Sequence, residues 1–326
     1  WGGSGNDRQL GNNGSDRLHG DAGNDTQDGA GGNDSIWGGD GNDRPIGGTA
    51  NDRLYGEAGN ASPAAASGDD TMDGAAGTDV LWGGAGNDRA YGGDGNDSAS
   101  GDAGDDRLWG GNGNDRLYGG DGDNRLWGGA GDDTLQSDSG NDRLYGEDGN
   151  DLILVGWGDA FAFAFGGNGN DRLEGDAFDA RLYGDAGDDV ISSGFAYALY
   201  GGAGNDKLTG QNYDGLGPVI YGGAGSDIIR DADGAAYGGS GNDTLIGGDS
   251  EHHGYDYAYL YGDSGDDIIL GGGDGRSGGL GYFGYSYYSE NKDKLGAVAV
   301  ATEAGKPAVA PSLQSVIDGS YQPLAR

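Results

Sequence analysis

An aspartate recurs every nine residues through the first half of this 326-residue chain. It stands at Asp7, Asp16, Asp25, Asp34, Asp43 and Asp52, at Asp70, Asp79, Asp88, Asp97, Asp106 and Asp115, and at Asp133, Asp142 and Asp151. Two slots of the series lack it and hold Ala61 and Asn124. Each aspartate closes a stretch of the form Gly-Gly-x-Gly-x-Asp, as in GGNGND (110–115), and is followed by x-apolar-x. At neutral pH a carboxylate offers two acceptor oxygens and no proton, and a tight glycine turn can aim backbone carbonyls at it. Such an all-oxygen, pliable set suits Ca²⁺ better than Mg²⁺, which demands a strict octahedron, or Zn²⁺, which prefers nitrogen and sulfur.

The intervening residues must position those carboxylates. Six residues of Gly-Gly-x-Gly-x-Asp make a turn, and three of x-apolar-x make a short strand with its central side chain inward. Two nonapeptides then form one coil of 18 residues with a turn at each edge. Stacked coils bring successive carboxylates and turn carbonyls to roughly 5 Å spacing.

The nonapeptide GGAGNDRAY (83–91) and its copies resemble the RTX family of calcium-binding repeats. The resemblance covers most of the chain. It implies an all-β fold, a right-handed parallel β-roll solenoid of about 18 residues per coil. It also implies that aspartate side chains and carbonyls of stacked turns bind many Ca²⁺ ions, here at the aspartates that match the motif. Beyond Asp151 the matching loops end at Asp171, Asp189, Asp206, Asp227, Asp243 and Asp267, with spacings of 20, 18, 17, 21, 16 and 24. The mean is still about one coil, so one edge keeps the calcium grammar while the other becomes irregular. We therefore divide the chain into a regular two-edge roll (1–157), a roll with one calcium edge and one loop edge (158–276), and a different C-terminal segment (277–326).

Composition agrees with a cation-loaded repeat. The chain has 78 Gly and a formal net charge of −37. A chain so acidic and polar opposes its own compaction unless cations neutralise it. On the order of 15–20 divalent ions would offset most of that charge. Charges in 277–326 cancel, so the whole excess lies upstream. Nucleic acid is an unfavourable partner for such a surface. There is no Cys, so disulfides and thiolate metal sites are excluded. No membrane span is visible, and the chain opens inside a repeat at Trp1, as a fragment or processed product would.

The residue preceding Gly-Gly is patterned as well. Taken once per 18-residue coil it reads Trp1, His19, Trp37, Tyr55, Asp73, Tyr91, Trp109, Trp127, Tyr145, Phe165, Tyr183, Tyr200, Tyr221, Tyr237 and Tyr261. Alternation puts these side chains outward, which predicts one ladder of rings along one face, with Arg17, Arg53, Arg89, Arg107, Arg125 and Arg143 beside it. The ladder is a self-stacking brace, an interface for another copy, a partner or a carbohydrate surface, or both together, since the two roles are compatible. Inward positions are uneven: Leu108, Leu117, Leu126, Leu135, Leu144 and Ile153 come late, whereas Gln9, Gln27, Pro45 and Pro63 come early, so the first coils should be the least stable.

The segments GLGYFGYSYYSENKDKL and VAPSLQSVIDGSYQPLAR resemble the C-terminal part of periplasmic phosphate-binding proteins of ABC transporters. We expect a small α/β segment there, with phosphate a possible ligand only together with domain parts this sequence lacks. Gly-rich matches to nucleotide-binding and hydrolase motifs at 273–284 arise from composition, and no catalytic constellation or organic cofactor site stands out. The reading is a non-enzymatic, extracellular or cell-surface calcium-binding structural or adhesive repeat protein that self-associates into a fibre or layer. Its alternatives are a phosphate-binding protein carrying an inserted roll and the calcium domain of a secreted hydrolase.

Overall fold

A computed structural model describes residues 1–56, 68–156, 158–159, 161–175, 177, 179–210, 218–232, 234–247 and 259–270. The α/β segment expected at 277–326 lies outside the described residues, as do much of the irregular loops at 211–217 and 248–258. Among the described residues all regular structure is β, built as a parallel solenoid of about 18 residues per coil. The chain divides into two units, Trp1–Tyr183 and Gly184–Arg326.

In the first unit each nonapeptide contributes one strand, and consecutive strands alternate between two parallel sheets. Arg89–Asp94, Arg107–Asn112, Arg125–Ala130, Arg143–Asp148 and Phe163–Asn168 pair in one. Val80–Ala85, Ser98–Ala103, Arg116–Asp121, Thr134–Gln136, Leu152–Val155 and Arg172–Gly175 pair in the other. Register is fixed by the apolar residue, because a one-residue slip would turn every buried side chain to solvent. Leu108 thus sits on Leu126 and Leu126 on Leu144, while Leu117, Leu135 and Ile153 line up opposite, all fully buried. The early interior is mixed. Ile36, Leu54 and Leu81 are buried on one sheet, but the facing column holds Gln9, Gln27 and Pro45. Gln27 Nε2 donates to the Trp37 carbonyl at 2.5 Å, and its buried Oε1 finds no partner.

The second unit repeats this plan through residue 270. Ala198–Ala203, Val219–Ala224, Ala235–Ser240 and Tyr259–Ser264 form one parallel set. Val190–Ser193, Lys207–Gly210, Ile228–Ala232, Thr244–Gly247 and Ile268–Leu270 form the other. Leu199 and Ile220 face inward in the first, and Ile191, Leu208, Ile229 and Leu245 in the second.

One coil breaks the period. Tyr55 pairs with Trp82 and the Asp43 N–H donates to Asp70 Oδ1, both across 27 residues. The pairing of the described residues therefore skips nine positions of sequence, within the stretch 57–67 that contains Ala61 and Pro63 and lies outside the described residues. Every later nonapeptide then occupies the opposite edge from the one that uninterrupted counting by 18 assigns. Deleting residues 58–66 would join Gly56-Glu57 to Ser67-Gly68-Asp69-Asp70, a turn of the same form as Gly146-Glu147-Asp148-Gly149-Asn150-Asp151. We expect that deletion to leave the calcium-loaded fold and its denaturation midpoint unchanged. A large loss of stability would show that the 27-residue coil is wrongly registered.

Candidate metal centre

The stretch 110–115, in which the strand Arg107–Asn112 ends and the chain bends at 113–114, shows how the sequence builds each rung. Gly111 takes φ +113°, which a side chain would strain, and this bends the chain back into the next strand. Gly110 cannot carry a side chain for another reason: a Cβ there would collide with Asp115 Oδ2 and with the Gly128 carbonyl oxygen of the next coil. Carboxylate and carbonyl thus converge over the bare glycine Cα. The two oxygens of each aspartate have different fates. Asp115 Oδ1 accepts the Asp97 N–H at 2.7 Å, while Asp115 Oδ2 is buried without a hydrogen-bond partner.

The same geometry repeats along two edges. One joins Asp7, Asp25, Asp43, Asp70, Asp88, Asp106, Asn124 and Asp142 by N–H to Oδ1 bonds. The other joins Asp16, Asp34, Asp52, Asp79, Asp97, Asp115, Asp133, Asp151 and Asp171. In the second unit Asp189, Asp206, Asp227, Asp243 and Asp267 form such a column. Oδ2 is buried and partnerless at Asp25, Asp34, Asp43, Asp52, Asp79, Asp88, Asp97, Asp106, Asp133, Asp151, Asp206, Asp227 and Asp243 as well. Beyond Asp142 the first edge loses its carboxylates: buried Ala162 and Ala180 precede the next two strands in the place Asp142 precedes Arg143.

A buried carboxylate oxygen facing carbonyl oxygens is unfavourable without a positive group. Burial, and secondarily the neighbouring carboxylates, push Asp88 up to about 8 and Asp79 and Asp133 up to about 7. The backbone N–H on Oδ1 opposes the shift without cancelling it. The environment therefore calls for a proton or a cation at each rung. Among the described residues no three acidic or histidine side chains converge. A bound cation would rest on one or two carboxylates and several backbone carbonyls, the hard-oxygen set that favours Ca²⁺.

The RTX calcium-binding nonapeptide repeat model (4 copies) matches most of the chain, in segments such as 1–36, 65–99, 100–135, 127–161, 165–195 and 236–251. The chain belongs to the RTX calcium-binding nonapeptide repeat family.

Short matches point elsewhere. The RTX chain is 61% identical over 49 residues to Protein SphX of Synechococcus elongatus, covering 15% of this chain and 14% of that protein. It is 49% identical over 43 residues to the phosphate-binding protein PstS of Staphylococcus saprophyticus, 13% of each. The chain thus spans about one seventh of the length of these curated relatives. Among solved structures it is similar to a hyperactive, Ca²⁺-dependent, β-helical antifreeze protein from an Antarctic bacterium, at 19% identity, with 88% of this chain and 85% of that one covered and a TM-score of 0.29. The matched family model describes a calcium-binding repeat and names no catalytic activity.

A second ladder in the RTX roll escaped the sequence reading. The residue just before each slot, usually Asn or Asp, bonds the equivalent residue of the adjoining coil. Asn87 N–H donates to Asp69 Oδ1 at 2.8 Å, Asn114 N–H to Asn96 Oδ1 at 2.9 Å, and Asn150 N–H to Asp132 Oδ1 at 2.8 Å. The signal was the frequency of Asn-Asp and Asp-Asp at the end of the motif. These exposed bonds tie coil to coil without metal.

The aromatic residues do not form one ladder. The skip in pairing moves them from one sheet to the other. Trp1, His19, Trp37 and Tyr55 stack in sequence and continue to Trp82. Asp73, expected within the ladder, lies on the other sheet and is followed there by Tyr91. Tyr91, Trp109, Trp127, Tyr145, Phe165 and Tyr183 form a second stack, with centroids 4.5–5.7 Å apart. In the second unit Tyr200, Tyr221, Tyr237 and Tyr261 stack at 4.8–5.0 Å. Interior rings lie face to face, so their faces are already covered and only edges meet solvent. That removes the ring-on-sugar stacking a carbohydrate platform needs and favours the brace. Trp109 lies between Tyr91 at 4.5 Å and Trp127 at 4.7 Å. Trp109→Ala should lower calcium-loaded stability by about 1–3 kcal/mol, two stacking contacts' worth, with Trp109→Tyr recovering most of it, as read by denaturant midpoints.

Proposed function

We propose that this chain is a secreted structural repeat protein whose fold is completed by extracellular Ca²⁺, bound at the aspartates of both edges in the first unit and of one edge in the second. The observation that carries this reading is the file of buried, partnerless Oδ2 atoms, each placed over a glycine with no room for a side chain. Asp25, Asp43, Asp88 and Asp106 would hold the ions on one edge, and Asp34, Asp52, Asp79, Asp97, Asp115, Asp133 and Asp151 on the other. A bound Ca²⁺ supplies the positive charge that lets stacked carboxylates and carbonyls approach; the residues themselves set its place, since Oδ1 is already engaged by backbone. Calcium-poor cytoplasm leaves such a chain open and calcium-rich surroundings close it, which suits export. No helix among the described residues is long and apolar enough to cross a membrane.

Self-association is the finer part of the proposal: the ring edges of the aromatic stacks and the open strands at coil ends would supply the contacts, yielding fibres or layers. Phosphate capture by the C-terminal stretch requires the rest of a binding-protein domain and forms no part of the reading. Equilibrium dialysis against calcium at pH 7.5 tests the main proposal. On the order of ten ions per chain are expected; one or two would overturn it. Sedimentation with calcium tests assembly, and a monomer at all concentrations would remove that part alone.

A further inference from the structure

One rung is built differently from the rest. Asn124 is fully buried, and its Oδ1 accepts the Asp106 N–H at 2.9 Å, as aspartate Oδ1 atoms do in the other rungs. That bond fixes the orientation of the amide. Nδ2 therefore stands where the regular slots have Oδ2, and it donates to the carbonyls of Gly120 at 3.2 Å and Gly122 at 3.1 Å in its own turn. A carboxylate has no proton to offer those carbonyls.

The next coil departs at the same edge. It carries Ser137-Asp138 where the repeat has Gly-Gly. At Gly110 the carbonyl of the following coil comes to 2.5 Å of an added Cβ; at Gly119 the three nearest atoms all belong to Asn124, out to 3.3 Å. In this rung one oxygen has been replaced by a donor and another has been withdrawn. After Asp142 the edge carries Ala162 and Ala180, which offer no side-chain oxygen.

We infer that slot 124 is a metal-free rung, in which the side-chain amide stands in for Ca²⁺ and interrupts the ion column of that edge. The inference rests on the calcium reading of the aspartate slots. It means that calcium dependence is set slot by slot by one atom, oxygen or NH₂, at the end of one side chain. Asparagine introduced at a regular slot should therefore free that rung of calcium, and aspartate at 124 should impose a requirement the rung cannot meet well.

The test measures bound calcium by equilibrium dialysis, and the free calcium that half-folds the protein by circular dichroism. Wild type, Asp115→Asn, Asp115→Ala and Asn124→Asp are compared. Asp115→Asn is expected to bind fewer ions than wild type without needing more calcium to fold, whereas Asp115→Ala binds fewer and needs more. Asn124→Asp is expected to raise the folding midpoint several-fold. The inference is overturned if Asp115→Asn behaves like Asp115→Ala, or if Asn124→Asp folds at wild-type or lower calcium. Should Asn124→Asp fail to fold at all, the two Asp115 variants still decide. If wild type itself binds no calcium, the fault lies with the calcium reading instead.

Discussion

Chelation of calcium at pH 8 should abolish most of the far-ultraviolet β signal of this protein, and calcium, but not equimolar magnesium, should restore it. Without ions, consecutive carboxylates on each edge stand roughly 5 Å apart, the spacing of stacked strands. At an effective dielectric constant near 20, two charges at that distance repel by about 3 kcal/mol. Repetition along columns such as Asp79, Asp97, Asp115, Asp133 and Asp151 exceeds the roughly 5–15 kcal/mol by which folded domains are stable. The Leu core and the ring stacks oppose unfolding, but they are thin: each coil buries about two apolar side chains, and the early coils place Gln9 and Gln27 inside. Magnesium should fail because the rung offers fixed carbonyls rather than the water-rich octahedron it holds. A chelated protein with an unchanged spectrum would refute a calcium-completed fold.

Acidification should act in opposite directions on the metal-free and calcium-loaded protein. Burial, then neighbouring carboxylates, raise Asp88 from 3.8 to about 8, Asp79 and Asp133 to about 7, and Asp106, Asp115 and Asp151 to about 6. A group whose folded pKa lies above its unfolded value binds its proton more tightly when folded. Its contribution to stability is complete below about 4 and is lost as pH rises through the folded value. The metal-free chain should therefore be most ordered near pH 4 and open progressively toward pH 8, protons standing in for ions on Oδ2. With calcium present, the ion competes with those protons, so the calcium needed for half-folding should rise as pH falls. Circular dichroism across pH 4–8, with chelator and at fixed free calcium, reads both arms. A metal-free signal that grows with pH would contradict the buried-carboxylate account.

Much of the candidate site was legible because it is periodic. A nine-residue repeat ending in Asp names the carboxylates, the bare glycines beside them and the inward apolar position, since side-chain alternation along a strand leaves no other assignment. Family membership follows from the same letters. The outer Asn and Asp ladder was present in those letters too, but its role depends on backbone N–H groups of an adjoining coil, which only stacking brings near.

What the sequence by itself determined is the repeating unit: turn, strand, core residue and rung carboxylate. Which edge and which neighbour each unit receives was decided by tertiary structure. A nonapeptide fits either edge equally well, so nothing local marks where the count changes hands, and the skip in pairing between Tyr55 and Gly68 became visible only when Asp43 paired with Asp70. Within the first unit the single expected ladder of rings became two for that reason. Asn124 looked like a defect in the series; the carbonyls of Gly120 and Gly122 make it a closed rung, because whether an amide is a flaw or a substitute depends on what lies 3 Å from its nitrogen.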